Sequence, residues 1–331
     1  MRISILLPTK NAAPYLAQCL DSIRTQTIED WELIAINDHS DDNSLAILND
    51  YVSQDNRIRC INNLGTGIIS ALQTAYQHAT GTYITRMDAD DIMTPNKLEQ
   101  LLDQVKQNGK GTLAVGLVKY FSESTLGDGY KSYESWLNHL SSTRSNFLEI
   151  YKECSIPSPA WMLHRDDLDR CGAFDSDVYP EDYDLAFRMR AEGFKVCPTT
   201  EVVHLWRDHP VRSSRTDDNY ADNRFIELKV SHFVTYDFDP TLKLILWGAG
   251  KKGKSIARLL LEKNISFKWI TNNTNKIGRE IYGVALLRDD SMGLNDSQII
   301  IAVAQPEEQI KISEVLSTHN KRIGVDTFYF C

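Results

Sequence analysis

The run Arg86-Met87-Asp88-Ala89-Asp90-Asp91 follows the apolar stretch Tyr83-Ile84-Thr85 and gathers three carboxylates within four residues. Two carboxylates one residue apart at a strand end can share a divalent cation. Hard oxygen donors favour Mg2+ or Mn2+, with phosphate and water completing the octahedron, and such an ion polarises a departing diphosphate. The same residues also suit a solvated turn ahead of a helix starting at Asn96. A second acidic pair, Glu181-Asp182, follows Pro180 and heads a helical pattern. A carboxylate there can take the proton of an attacking hydroxyl, or simply sit well at the positive end of the helix dipole. A third group lies between His204 and Arg215, where Arg207, His209, Arg212 and Arg215 form a basic loop. Such a loop can close over a diphosphate and neutralise the charge of a leaving group.

These residues need a scaffold that brings them together. Ile3 to Leu7, Leu33 to Ile36 and Arg57 to Ile61 read as buried strands, and Leu16, Leu20 and Ile23 recur at helical spacing. Ile68 to Ala79 reads as a helix stopped by Gly81. Strands alternating with helices predict a mainly parallel α/β sheet flanked by helices, whose ligands bind at the carboxyl ends of the strands. Thr9, Asn37-Asp38 and Asp88-Ala89-Asp90 all follow strands, so they converge on one edge. A second βαβ pattern opens near Thr241. Its strands are Lys243 to Trp247, Phe267 to Ile270 and Ser297 to Ala304, with a helix ending at Leu261. The boundaries expected are 1–236 for the first domain, with a connector helix over 217–237, and 241–331 for the second. Gly248, Gly250 and Gly253 stand between strand and helix as a candidate phosphate loop. Thr271-Asn272-Asn273 occupies the place where a dinucleotide site wants an acid.

The chain has 331 residues, which suits two domains. A net charge of −9 argues against nucleic acid as a partner. Six cysteines without a CxxC pair suit a reducing cytosol. Ile3 to Leu7 is too short for a signal-peptide core, and no segment reaches the length of a membrane span. A cytoplasmic protein is expected, with peripheral contact at the inner face of the membrane compatible with that.

Ser4-Ile5-Leu6-Leu7-Pro8-Thr9-Lys10-Asn11, Ile36-Asn37-Asp38-His39-Ser40-Asp41-Asp42, Asn63-Leu64-Gly65-Thr66-Gly67, the acidic run and Pro180-Glu181-Asp182-Tyr183 come in this order. Together they resemble a family 2 glycosyltransferase of the GT-A fold over about residues 1–235. The resemblance implies an inverting enzyme of polysaccharide or glycan synthesis. Its donor would be a nucleotide-sugar, a UDP-sugar first, and its acceptor a saccharide or lipid-linked hydroxyl. It implies that Pro8, Thr9, Asn11, Asp38 and Arg86 line the donor pocket. Asp88 would face ribose and metal, and Asp90 would bind the metal. Asp182 would be the base, with Glu181 in support. Arg207, Arg212 and Arg215 would meet the diphosphate, and His209 would meet the metal or phosphate. Trp161 would stack on a sugar ring or pack in the core. The C-terminal segment resembles small Rossmann-like modules that carry a Lys-Ile-Gly element, here Lys276-Ile277-Gly278, and a structural or regulatory role follows. Two other readings compete. A nicotinamide-dependent oxidoreductase centred on Gly248 to Gly253 lacks its ribose-binding acid. A non-catalytic nucleotide-sugar sensor has no need of Asp182.

Overall fold

The computed structural model describes residues 2–122, 126–210, 212, 225–288 and 293–331. The chain divides into two compact units: Met1–Asn146 with Ser155–Arg212, and Phe147–Cys154 with Ser213–Cys331.

The strands of the first unit are β1 (Ile3–Thr9), β2 (Trp31–Asn37), β3 (Ile58–Asn62), β4 (Tyr83–Arg86), β5 (Ile92–Met93), β6 (Thr112–Phe121), β7 (Trp161–His164) and β8 (Lys195–Arg207). They form one sheet in the order β3-β2-β1-β4-β7-β6-β8-β5. Every residue of β2 is buried, and all of β1 but Pro8, as a central strand covered on both faces requires. Strands β1 to β4 pair in parallel. Strand β7 runs antiparallel to both β4 and β6, and β8 runs parallel to β6. Six strands therefore point the same way, and their carboxyl ends share one edge. Sequence periodicity did not reveal β7, a strand of four residues.

Helices α1 (Ala13–Arg24), α2 (Ser44–Gln54), α3 (Gly67–His78) and α4 (Lys97–Asn108) cover the sheet. Leu98, Leu101, Leu102 and Val105 recur on one face of α4 and are buried with Ile3, Ile5, Leu16 and Leu20. Gly109 ends that helix at φ +77, a conformation glycine adopts without strain. Helices α5 (Asp128–Thr143), α6 (Arg165–Arg170) and α7 (Glu181–Ala191) follow. The pairing of β6 with β8 shifts register around Gly116. A Cβ there would stand 2.2 Å from Val203 Cγ2, so the irregularity depends on a missing side chain.

The second unit holds α8 (Phe225–His232), β9 (Lys243–Trp247), α9 (Lys251–Glu262), β10 (Lys268–Thr271), β11 (Glu280–Ile281), β12 (Val284–Arg288), β13 (Ser297–Ile301), α10 (Pro306–Thr318) and β14 (Thr327–Tyr329). Its sheet has the order β11-β12-β10-β9-β13-β14. All pairs are parallel except the β11–β12 hairpin. The strand expected to reach Ala304 ends at Ile301. Of the connector expected over 217–237, residues 217–224 lie outside the described ones. The remainder is α8 followed by a wider π-turn over Phe233–Asp237.

That remainder groups with the second unit, as does the segment Phe147–Cys154, which the sequence assigns to the first domain. The cause is an aromatic core. Phe233 is fully buried, and its ring meets Phe328 at 5.1 Å, Tyr151 at 6.1 Å and Phe330 at 6.2 Å. Tyr151 in turn stacks on Phe330 at 5.0 Å. Phe233→Ala should cost about 3–5 kcal/mol, measured as a lowered urea midpoint; an unchanged midpoint would remove this cluster from the core.

Candidate active site

The carboxyl ends of β1, β2, β3 and β4 present, in turn, Thr9, Asp38, Asn63 and Arg86 to Asp88. The Asp38 backbone N–H donates to Thr9 O at 2.8 Å, which carries the strand pairing one step further. The buried Asp38 carboxylate accepts from Asn63 Nδ2 at 2.7 Å and from the Gly67 N–H at 3.0 Å, and Lys10 Nζ stands 3.7 Å away. Asp38 thus holds the loop that enters α3. Gly67 sits at φ +87, which a side chain would strain. Asn11, at φ +50, accepts from the Asp41 N–H at 3.0 Å, and this ties the loop after β1 to the loop after β2.

Arg86 links two segments far apart in sequence. Its guanidinium donates to Asp88 Oδ1 at 3.0 Å and to Glu181 Oε1 at 3.0 Å, with both Arg86 and Glu181 buried. Burial works against the charge, but the carboxylates of Asp88, Glu181 and Asp182 hold Arg86 firmly protonated. Pro180 precedes α7, and Glu181, Asp182 and Asp184 fill its first turn, where the helix dipole favours negative charge. Asp184 fixes that helix through Arg188 Nε at 2.8 Å, and Arg188 also donates to Ala173 O at 2.9 Å. Asp182 is half-buried, and its Oδ1 accepts from the Tyr183 N–H at 2.8 Å. Burial, and then the Glu181 charge, push its carboxyl up to about 7, against the pull of Arg86.

On the other flank, His209 Nε2 lies 2.9 Å from Asp90 Oδ2, and its ring packs on Tyr15 at 4.6 Å. Burial raises the Asp90 carboxyl, but the His209 hydrogen bond and the Arg212 charge more than reverse this and hold it below its ordinary value. Arg207 Nε donates to Asp90 O at 2.7 Å, and a second nitrogen reaches Gln18 Oε1 at 2.6 Å. Arg212 lies over the rings of Trp206 at 5.0 Å and Tyr120 at 5.5 Å. Arg215 lies outside the described residues.

Asp91 differs from its two neighbours in the acidic run. It is fully buried; its Oδ2 meets His204 Nε2 at 2.9 Å and its Oδ1 accepts from the Arg207 N–H at 2.8 Å. Lys97, also fully buried, points Nζ at His204 Nδ1 from 3.1 Å. Burial pushes Lys97 down to about 7 and His204 well below its ordinary value, while burial and then the charges of Asp90 and Asp88 raise Asp91. Sequence reasoning missed Lys97, His204, Tyr15 and Gln18. A lysine at a helix start and a histidine inside a strand carry no spacing that marks them.

Among the described residues no three His, Cys, Asp or Glu side chains stand grouped as a ready cation site. Asp88 is turned to Arg86, while Asp90 and His209 converge. The donor types present, carboxylate and imidazole, are ones a divalent cation accepts. A carboxylate and an imidazole meet, and His209 Nδ1 is buried without a partner among the described residues. Phosphate oxygens and water would supply the other positions.

Of the two places left open for Trp161 the structure selects the core: it is 2% exposed in β7, between β4 and β6. In the second unit, a Cβ on Gly253 would stand 2.1 Å from Gly248 O, and one on Gly248 2.9 Å from Ala302 O. Those two glycines are required by the turn itself. Gly250 faces open space.

Residues 4–172 match the sequence profile of glycosyl transferase family 2; the chain belongs to that family. The uncharacterised glycosyltransferase EpsJ of Bacillus subtilis is 28% identical over 215 residues, which are 63% of this chain and 61% of EpsJ. The chondroitin synthase of Escherichia coli is 35% identical over 106 residues, 32% of this chain and 16% of the synthase. The chain therefore spans less than two thirds of either relative. Among solved structures, S. aureus TarS 1-349 in complex with UDP-GlcNAc aligns with a TM-score of 0.54 at 15% identity, over 78% of this chain and 72% of that one. The mannosyltransferase PcManGT of Pyrobaculum calidifontis, in complex with GDP-Man and Mn2+, aligns with 0.54 at 18% identity, over 78% and 68%. These likenesses establish the GT-A-type fold. Among the described residues no helix is long and apolar enough to cross a membrane.

Arg86→Ala leaves Glu181 without its buried counter-charge. A loss of about 3–5 kcal/mol is expected, visible as a lowered thermal midpoint; a midpoint within a degree of the parent would show the pair to be dispensable.

Proposed function

We propose that this chain is an inverting glycosyltransferase that moves a sugar from a nucleoside-diphosphate donor, UDP-linked first, to a hydroxyl of a saccharide or lipid-linked acceptor. The observation that carries it is the pair of hydrogen bonds from Arg86 to Asp88 and Glu181, which sets Asp182 beside the acidic run. Thr9, Pro8, Asn11 and Asp38 would line the nucleotide pocket. Asp90 and His209, with Asp88 beside them, would hold Mg2+ or Mn2+, which when bound supplies Lewis-acid stabilisation of the diphosphate. Arg207 and Arg212 add fixed positive charge on the same side, and Arg215 is proposed with them. Asp182 takes the acceptor hydroxyl's proton as its oxygen attacks the anomeric carbon and the bond from that carbon to the diphosphate breaks.

Relatives named as chondroitin synthase and structural neighbours holding UDP-GlcNAc or GDP-Man support this reading. The second unit is proposed as a small Rossmann-like domain with a structural or regulatory role, and the acceptor as one met in the cytoplasm or at the inner membrane face. The nicotinamide reading is set aside because Thr271 to Asn273 supply no acid for a ribose.

Asp182→Asn should lower kcat at least a hundredfold while leaving UDP affinity near that of the parent; full activity would sink the base assignment. Asp90→Ala should abolish the dependence of UDP binding on Mn2+, read by calorimetry with and without the ion. Because the ionised form of Asp182 acts, kcat/KM for the free enzyme should rise with pH and level off above about 7, falling about tenfold per pH unit well below that. A flat profile between pH 5 and 8 would contradict it.

A further inference from the structure

We infer that Lys97 and His204 are positioning residues of the cation and diphosphate site, fixing the end of β8 against the acidic run through Asp91. The inference rests on the function proposed above and concerns two side chains, Lys97 and His204, to which no motif gives a role.

Strand β8 delivers Arg207 and, two residues on, His209. What joins that end to the acidic run by strand pairing is β5, only two residues long, through Ile92 opposite Leu205 and Met93 opposite His204. Two residue pairs are a weak hold for groups that must be set to a fraction of an ångström. The side chains supply the rest. Lys97 Nζ hydrogen-bonds His204 Nδ1, and His204 Nε2 hydrogen-bonds Asp91 Oδ2. Asp91 spends its other oxygen on the backbone N–H of Arg207, and Arg207 Nε closes the circuit on Asp90 O.

The lysine also reaches beyond this circuit. Nζ donates to Pro159 O at 2.6 Å and lies 3.8 Å from Met87 Sδ, so one ammonium ties α4, the residue before Asp88, the approach to β7, and β8. Lys97, His204 and Asp91 are fully buried. If the position needed only filling, an apolar residue would serve stability as well or better, because taking an ammonium out of water is costly. A buried polar chain brings direction: each member has one geometry that satisfies its neighbours. The directed output is the Arg207 backbone, and with it the distance from His209 to Asp90. Partners one step removed from a metal typically change its affinity by about 10–100-fold when lost.

The test compares Lys97→Met and His204→Gln with the parent and with Asp90→Ala. It uses the full chain with Mn2+ and UDP as probes and reads Mn2+ affinity by electron paramagnetic resonance, thermal midpoint, donor and acceptor KM, and kcat. Lys97→Met should remain folded, weaken Mn2+ binding in the presence of UDP about tenfold or more, lower kcat, and leave acceptor KM unchanged. His204→Gln, which retains an amide donor toward Asp91, should fall between Lys97→Met and the parent. It decides the matter if Lys97→Met does not fold. The inference is overturned if the folded variants bind Mn2+ and turn over as the parent does, whatever their midpoints. Should Asp90→Ala itself leave Mn2+ binding unchanged, the cation site is wrong; should Asp90→Ala abolish binding while the Lys97 and His204 variants keep it, only the positioning role fails.

Discussion

A single buried guanidinium joins the acidic run to the head of α7. Arg86 ends β4 and holds Asp88 with one nitrogen and Glu181 with another, although the two carboxylates come from segments more than ninety residues apart. A buried cation shared between two acids is costly to desolvate, and it becomes tolerable only because both partners are aligned hydrogen-bond acceptors. The neighbouring Asp182 stands where burial and the adjacent Glu181 charge make ionisation difficult.

The same logic separates the other acids. Asp88, Asp90 and Asp91 lie within four residues, yet each meets a different counterpart. Asp88 faces an arginine, Asp90 faces His209 and the charge of Arg212, and Asp91 is buried against a histidine and a backbone N–H. Environment holds Asp90 ionised and pushes Asp91 toward the protonated form. Chemical role therefore follows from what each side chain touches, since the residue type is the same in all three.

Much of the first unit could be read in advance because its signals are local. Apolar runs such as Ile3 to Leu7 announce strands buried on both faces, and polar residues after them fall on a shared edge by the geometry of parallel sheets. The Lys97, His204 and Asp91 chain could not be read, because its partners are separated by 107 and 113 residues and meet only once β8 has run back beside β6. Trp161 was open to misreading for a related reason: a four-residue strand has too little periodicity to declare itself, so a core side chain looked available to ligand. In the second unit the βαβ rhythm was legible, but the aromatic partners of Phe233 at positions 151, 328 and 330 were not.

The excursion of Phe147–Cys154 has an architectural consequence. The chain leaves its first unit, contributes Tyr151 to the interior of the second, and returns to build β7 before leaving again. The backbone thus passes between the two units three times. A gene rearrangement that swapped the residues after Arg212 for others would strand Tyr151 without Phe233, Phe328 and Phe330, so a clean exchange of the second unit has to carry Phe147–Cys154 with it.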